Sequence, residues 1–388
     1  MRKIYIYLIT NLLFFSCGSN VNEKQNDDTE VIIDLTVITE PSVYDFVDSI
    51  SLVQLETTDD CLVSNMFTVK EFNGKYFVID IKQSALFCFD KEGKYLFKIH
   101  SRGQGPNEYL YLGDFNFDPY NNQLILLDPW GAILLYDLEG NFISKTRLPS
   151  EIAAYNEVFV LNRDTLVFSS LSDYQLVYYS RKANVLVKKM YEKDEFHETT
   201  FMSVYGRIYS YNDSIYLAVP WSNEIINLSD DKHSVSYRWN VGKETFTKND
   251  IKRLRKYLTL YDDKKDFDRS DLVGSGKPLK YYISTINETE RYIKALIYYQ
   301  NDHLSIFYDK SLKKSFLFKK TKENIQIIWA TTNISGENMI ITPLWQEIEC
   351  LPYYNENMLS VEDREKLRER KEDDNPYLII YKLKSLPK

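Results

Sequence analysis

The stretch richest in reactive side chains is Ser101-Arg-Gly-Gln-Gly-Pro-Asn-Glu-Tyr109. Arg102 has the geometry to clamp a carboxylate or sulfate through two parallel N–H bonds. Glu108 offers an acid or an acceptor for sugar hydroxyls, and Asn107 and Tyr109 add donors and acceptors beside it. Gly103 and Gly105 permit unusual backbone angles and bare their amides. No Gly-Lys-Ser/Thr and no helix signal follows, so this is not a phosphate-cradling loop. The competing reading is a connection whose Arg and Glu fix the next strand. Three tryptophans recur at similar corners: Asp128-Pro-Trp130, Val219-Pro-Trp221 and Pro343-Leu-Trp345. An exposed indole there stacks on a sugar or peptide; a packed one needs no ligand. Asp80, Asp90, Asp128 and Asp137 sit at strand ends. Two carboxylates facing across a cavity do general acid–base work, but an Asp repeated at one position more simply caps a turn. The four histidines, His100, His197, His233 and His303, have no metal-ligand spacing, and there is no CxxC and no GxSxG. No catalytic residue, metal or cofactor is therefore assigned.

A second kind of chemistry is written at the N-terminus. Arg2 and Lys3 precede an apolar run from Ile4 to Phe15, and Phe14-Phe15-Ser16-Cys17-Gly18 follows. A positive start, roughly 7–15 apolar residues and a small residue before the cut make a secretory signal. With cysteine next, the pattern reads as a lipobox, although Phe14 stands where Leu is usual. The expectation is a signal peptide over 1–16, a lipidated Cys17 tying the chain to a membrane, and a polar tether over 17–30. The run is too short to span a bilayer, which takes about 20 apolar residues. Cys61, Cys88 and Cys350 remain, an odd number that makes no disulfide framework. The formal charge of -8 over 388 residues argues against nucleic acid as a partner and against electrostatic docking on anionic lipid.

These residues must be held by something, and the sequence repeats. Gly74-Lys-Tyr-Phe-Val-Ile-Asp80 aligns with Asn122-Gln-Leu-Ile-Leu-Leu-Asp128, and Ala85–Gly93 with Ile133–Gly140. Short apolar runs bounded by Asp, Asn and Gly continue to the end, the signature of an all-β chain. Second strands of successive units start near 75, 123, 165, 214, 292 and 338. Four strands in roughly 40–50 residues make one propeller blade, so six starts predict six blades. The sixth unit, starting near 338, lacks a complete set of following strands, and two orphans, 49–55 and 377–381, are predicted to complete it and close the ring. Two helical insertions are expected, at about 246–266 and 360–372, within a propeller covering 31–388.

Leu55-Glu-Thr-Thr-Asp59, Gly103-Gln-Gly-Pro-Asn-Glu-Tyr109 and Asp374-Asn-Pro-Tyr-Leu-Ile-Ile-Tyr-Lys-Leu383 resemble segments of six-bladed β-propeller lipoproteins of Bacteroides-type bacteria, with NHL- or TolB-like blades. The resemblance covers 31–388 and implies a fold and an envelope location on the outer membrane, not a reaction. Two functions follow as expectations. One is a non-catalytic, membrane-tethered module that binds a glycan, peptide or envelope protein. The other is an extracytoplasmic hydrolase or lyase working at the central channel.

Overall fold

The computed structural model describes residues 29–152, 154–192, 206–219, 222–245, 247–259, 280–300, 302–327, 330–343 and 353–386. Twenty-four strands fall into six antiparallel four-stranded blades in chain order. Blade one is β3 (Met66–Phe72), β4 (Lys75–Asp80), β5 (Ala85–Asp90) and β6 (Tyr95–Ile99). Blade two is β7 (Asp114–Asp118), β8 (Gln123–Asp128), β9 (Ala132–Tyr136) and β10 (Phe142–Arg147). Blade three is β11 (Tyr155–Val160), β12 (Thr165–Ser170), β13 (Tyr174–Ser180) and β14 (Val185–Glu192). Blade four is β15 (Ile208–Tyr211), β16 (Ser214–Ala218), β17 (Glu224–Asn227) and β18 (Val235–Asn240). Blade five is β19 (Tyr281–Glu288), β20 (Tyr292–Tyr299), β21 (Asp302–Asp309) and β22 (Lys314–Phe318). The second strands begin where the repeat puts them.

Blade six is the closure. Its strands β23 (Ala330–Ser335), β24 (Asn338–Pro343) and β25 (Tyr377–Leu383) come from the C-terminal part, and β2 (Val47–Gln54) comes from the N-terminal part. β2 pairs antiparallel with β25 from Val47↔Leu383 to Gln54↔Tyr377. A buried amide clasps the joint. The Asn375 side chain accepts from the Val63 N–H at 2.8 Å and donates to the carbonyls of Glu56 (2.7 Å) and Cys61 (2.6 Å). This is why the 55–59 and 374–383 segments go together: an unbonded amide at 2 % exposure would forfeit several hydrogen bonds.

The packing between blades is apolar, mostly aliphatic, with aromatic rings in every cluster. Tyr155, Tyr179, Tyr281, Tyr292 and Tyr381 are among the largest fully buried side chains, so much of the aromatic content is core. Cys61 and Cys88 are buried free thiols, and burial pushes Cys88 up to about 12. Turn caps repeat from blade to blade. Asp90 takes the N–H groups of Glu92 and Lys94, and Asp137 those of Glu139 and Asn141. Desolvation pushes the Asp137 carboxyl up, and the bonds from Asn141, Glu139 and Gly140 together outweigh it and hold the group below its usual range.

The helical insertions are Lys248–Thr259 and Val361–Glu369. Ser360 caps the second through the Asp363 N–H, and Asp363 returns the bond to the Ser360 hydroxyl. One element has no counterpart in the sequence pattern. Glu30, assigned to the tether, already belongs to β1 (Glu30–Ile32), a fifth strand paired in parallel with β18. A three-residue strand inside a polar stretch carries too little periodicity to be seen.

Candidate functional site

In a ring of antiparallel four-stranded blades, the links between blades and the turns between second and third strands share one face. The 100–113 link, the β8–β9 turn and both helical insertions therefore lie on the same side. On that face, Asp128 joins the two features singled out by sequence. Its Oδ2 accepts the Leu110 N–H at 2.8 Å and its Oδ1 accepts the Trp130 N–H at 3.0 Å. Gly113 packs so tightly on Pro129 that a Cβ there would overlap the proline ring. The turn is thus braced from beneath, and Trp130 stands out of it 67 % exposed, the most exposed large hydrophobic side chain among the described residues.

The 101–109 loop is braced as well. Glu108 folds back so that Oε2 accepts the Gly105 N–H at 2.7 Å. A Cβ at Gly103 would overlap the Glu108 carboxylate. Neither Gly103 nor Gly105 has a positive φ, so these glycines supply room for Glu108 instead of unusual backbone angles. Tyr109 is buried at 1 %, and its hydroxyl donates to the Ser84 carbonyl at 2.7 Å. Lys145 Nζ donates to the carbonyl of Glu108. Of the four loop residues proposed for ligand contact, Arg102 and Asn107 face solvent, whereas Glu108 and Tyr109 hold the loop. Trp221, Trp345 and Cys17 lie outside the described residues.

The second concave feature is the central channel, a cavity of about 500 Å³ lined mainly by the first strands of all six blades. Sequence reasoning did not single out its charged residues, because each is an isolated polar position in an inner strand. Lys70 pairs with Asp114 at 3.1 Å, joining blades one and two. Asp114 also accepts the Val158 N–H at 3.0 Å, joining two and three. Glu157 accepts the Ser169 hydroxyl at 2.7 Å and the Gly206 N–H at 3.2 Å, reaching the segment that opens blade four. Glu288 takes the hydroxyls of Tyr209 and Tyr237, each at 2.9 Å, and the Lys310 ammonium at 3.0 Å, joining four and five. The Ser335 hydroxyl donates to Glu71, joining six and one. Burial pushes Glu157 up to about 7, the Asp114 charge adds to the shift, and the Ser169 hydroxyl opposes it. Every one of these carboxylates therefore has a protein partner across a blade junction. Among the described residues, no group of three or more His, Cys, Asp or Glu is arranged to hold a metal ion.

A family model described as a domain of unknown function, DUF4934, matches residues 30–382. No curated protein matches the sequence. Among solved structures, a candidate exported protein of Bacteroides fragilis superposes with a TM-score of 0.68 at 17% identity, covering 92% of this chain and 100% of that one. A DUF4221 family member from Bacteroides vulgatus gives 0.48 at 11% identity, covering 87% and 97%. At these identities the first likeness speaks for the propeller fold alone.

Proposed function

The chain belongs to the DUF4934 family, and from that premise we propose that it is a lipid-anchored propeller of the cell envelope that binds a glycan, peptide or partner protein through the Trp130 face. One observation carries the reading. Asp128 holds the turn that carries an exposed indole and, through the Leu110 N–H, ties it to the braced loop that presents Arg102 and Asn107. A preorganised aromatic plate on a turn tied through Asp128 to Leu110, at the end of the loop that exposes Arg102 and Asn107, loses little entropy when it engages a ligand. Of the three classes it suits a saccharide best: the ring face covers C–H groups while Arg and Asn reach hydroxyls or acidic substituents. The export in the name of the Bacteroides fragilis neighbour agrees with the signal peptide read at 1–16.

The test is a glycan and peptide array probed with the chain lacking residues 1–17, beside its Trp130→Ala variant. Binding that is lost with Trp130 supports the reading. Binding that survives Trp130→Ala and is lost with Glu157→Gln moves the site to the channel. Mass spectrometry of the protein from its native host reads the Cys17 modification separately. A hydrolase or lyase at the channel has Glu157, poised to about 7, in its favour. Against it stands Asp114, already engaged by Lys70 and Val158.

A further inference from the structure

The N-terminal segment runs along the outer edge of the ring before it enters blade six. The Ile33 N–H bonds the Asn240 carbonyl on blade four, the Ser315 hydroxyl donates to the Ile32 carbonyl, and the Thr39 N–H bonds the Leu317 carbonyl on blade five. This strap is unusual in what it exposes. Ile32, Val37, Ile38 and Tyr44 are 46–53 % exposed, four of the fifteen large exposed hydrophobics among the described residues, within thirteen positions. Leu312, 60 % exposed, adds a fifth on the adjoining β21–β22 turn. Beside them the chain carries Lys313, Lys314, Lys319, Lys320 and Lys322, while the strap itself carries Glu30, Asp34, Glu40 and Asp45, so the flank is of mixed charge in a protein whose overall charge is -8. Lys319 meets Asp302 at 2.5 Å, Lys320 meets Glu40 at 4.0 Å, and the Lys314 ammonium lies 4.8 Å from the Phe316 ring centre.

We propose that this flank of blade five is a membrane-contact surface whose occupant is the phospholipid bilayer. The overall charge of -8 disfavours docking on anionic lipid as a whole, so the apolar side chains entering the interface carry the contact and the lysine ammoniums add only local bonds to lipid phosphates. The proposal rests on the lipid anchor at Cys17 for bringing a bilayer within reach. Residues 18–28 separate that cysteine from Thr29 at the head of the strap, a span of at most about 40 Å when fully extended. Of the whole surface, the strap is the part the anchor holds nearest the lipid, and the short tether raises the effective concentration of a weak apolar contact. Blade five lies across the ring from blade two, so the contact leaves the Trp130 loop facing away from the membrane.

The experiment uses the chain from position 17 with Cys17→Ser, which keeps every described residue and carries no acyl group. Its sedimentation with phosphatidylethanolamine–phosphatidylglycerol vesicles is measured beside that of the Val37→Asp/Ile38→Asp, Lys314→Glu/Lys322→Glu and Trp130→Ala variants. The expected result is measurable vesicle binding, weakened about tenfold by the first pair, about threefold by the second, and unchanged by Trp130→Ala. Thermal melts of all variants, expected to coincide, separate lost contact from lost fold. No binding, or binding indifferent to the first pair, overturns the proposal. A dimer in light scattering that the first pair dissolves also overturns it, since the occupant is then a second copy. An unmodified Cys17 in native protein overturns the anchor alone, because vesicle binding here is read without it.

Discussion

The central channel and the Trp130 rim are both polar, both preorganised, and opposite in what their charges do. In the channel, Lys70, Asp114, Glu157 and Glu288 bond across blade junctions, so the charge is turned inward to hold the ring. On the rim, Asp128 and Glu108 bond backbone N–H groups of the 100–113 link and the β8–β9 turn, and the result is an indole and a guanidinium held out in solvent. A cluster of carboxylates in the central channel is thus better understood here as mortar than as a catalytic centre. An exposed aromatic on a braced turn is the feature that the structure leaves without an internal task.

If that contrast is correct, channel substitutions change stability and rim substitutions change binding. The largest expected effect is at Asp114. Asp114→Ala leaves the Val158 N–H without its acceptor and the Lys70 ammonium with only the Phe115 carbonyl, and should lower stability by about 2–3 kcal/mol in urea unfolding while array binding persists. Loss of binding at unchanged stability would reverse the assignment of the channel. Next comes Trp130→Ala. An exposed ring contributes little to folding, so the melting temperature should hold. A binding anchor truncated to alanine loses about 2 kcal/mol, a roughly 30-fold drop in affinity by titration calorimetry.

Glu157 gives a pH signature of the same contrast. Its carboxyl titrates at about 7 in the fold against about 4.5 in an unfolded chain, so the folded state holds the extra proton between those values. Stability from this group is therefore full below about pH 4.5 and is lost as pH rises through about 7. After discounting for solvent in the channel, the loss is on the order of 1–2 kcal/mol. Glu157→Gln cannot titrate, and its unfolding free energy should lack that fall between pH 5 and 7.5. An identical slope in both proteins would show that the Glu157 carboxyl is hydrated and unperturbed.

Much of the ring was legible because blades repeat: the 47-residue offset between Gly93 and Gly140 marks the same tight turn twice, each at φ near +86. The closing strands were legible as orphans, since an unpaired hydrophobic run must find a partner. The channel was not legible. Lys70, Asp114, Glu157 and Glu288 come from four blades and lie far apart in sequence, so only three-dimensional closure brings them to one cavity. The rim was legible in part. Ser101–Tyr109 announced a loop with chemistry in it, but the sequence gives no means of telling Arg102, which faces out, from Glu108, which folds in. The direction of the Glu108 side chain depends on room at Gly103, a close approach and not a pattern.

That distinction sets the smallest prediction. Arg102 is exposed, whereas the Glu108 carboxylate is held by the Gly105 N–H. Arg102→Ala should therefore leave folding within about 0.5 kcal/mol and weaken binding only a few-fold, most for ligands bearing sulfate or carboxylate. Glu108→Ala should do the reverse: a loss of about 1 kcal/mol in stability as the Gly105 N–H loses its acceptor, and a loss of affinity of equal size for charged and neutral ligands. The two differ in ligand dependence, which a merely destabilised loop cannot imitate. If Arg102→Ala weakens neutral and acidic ligands alike, the guanidinium is another brace, and the binding surface shrinks to the indole and its neighbours.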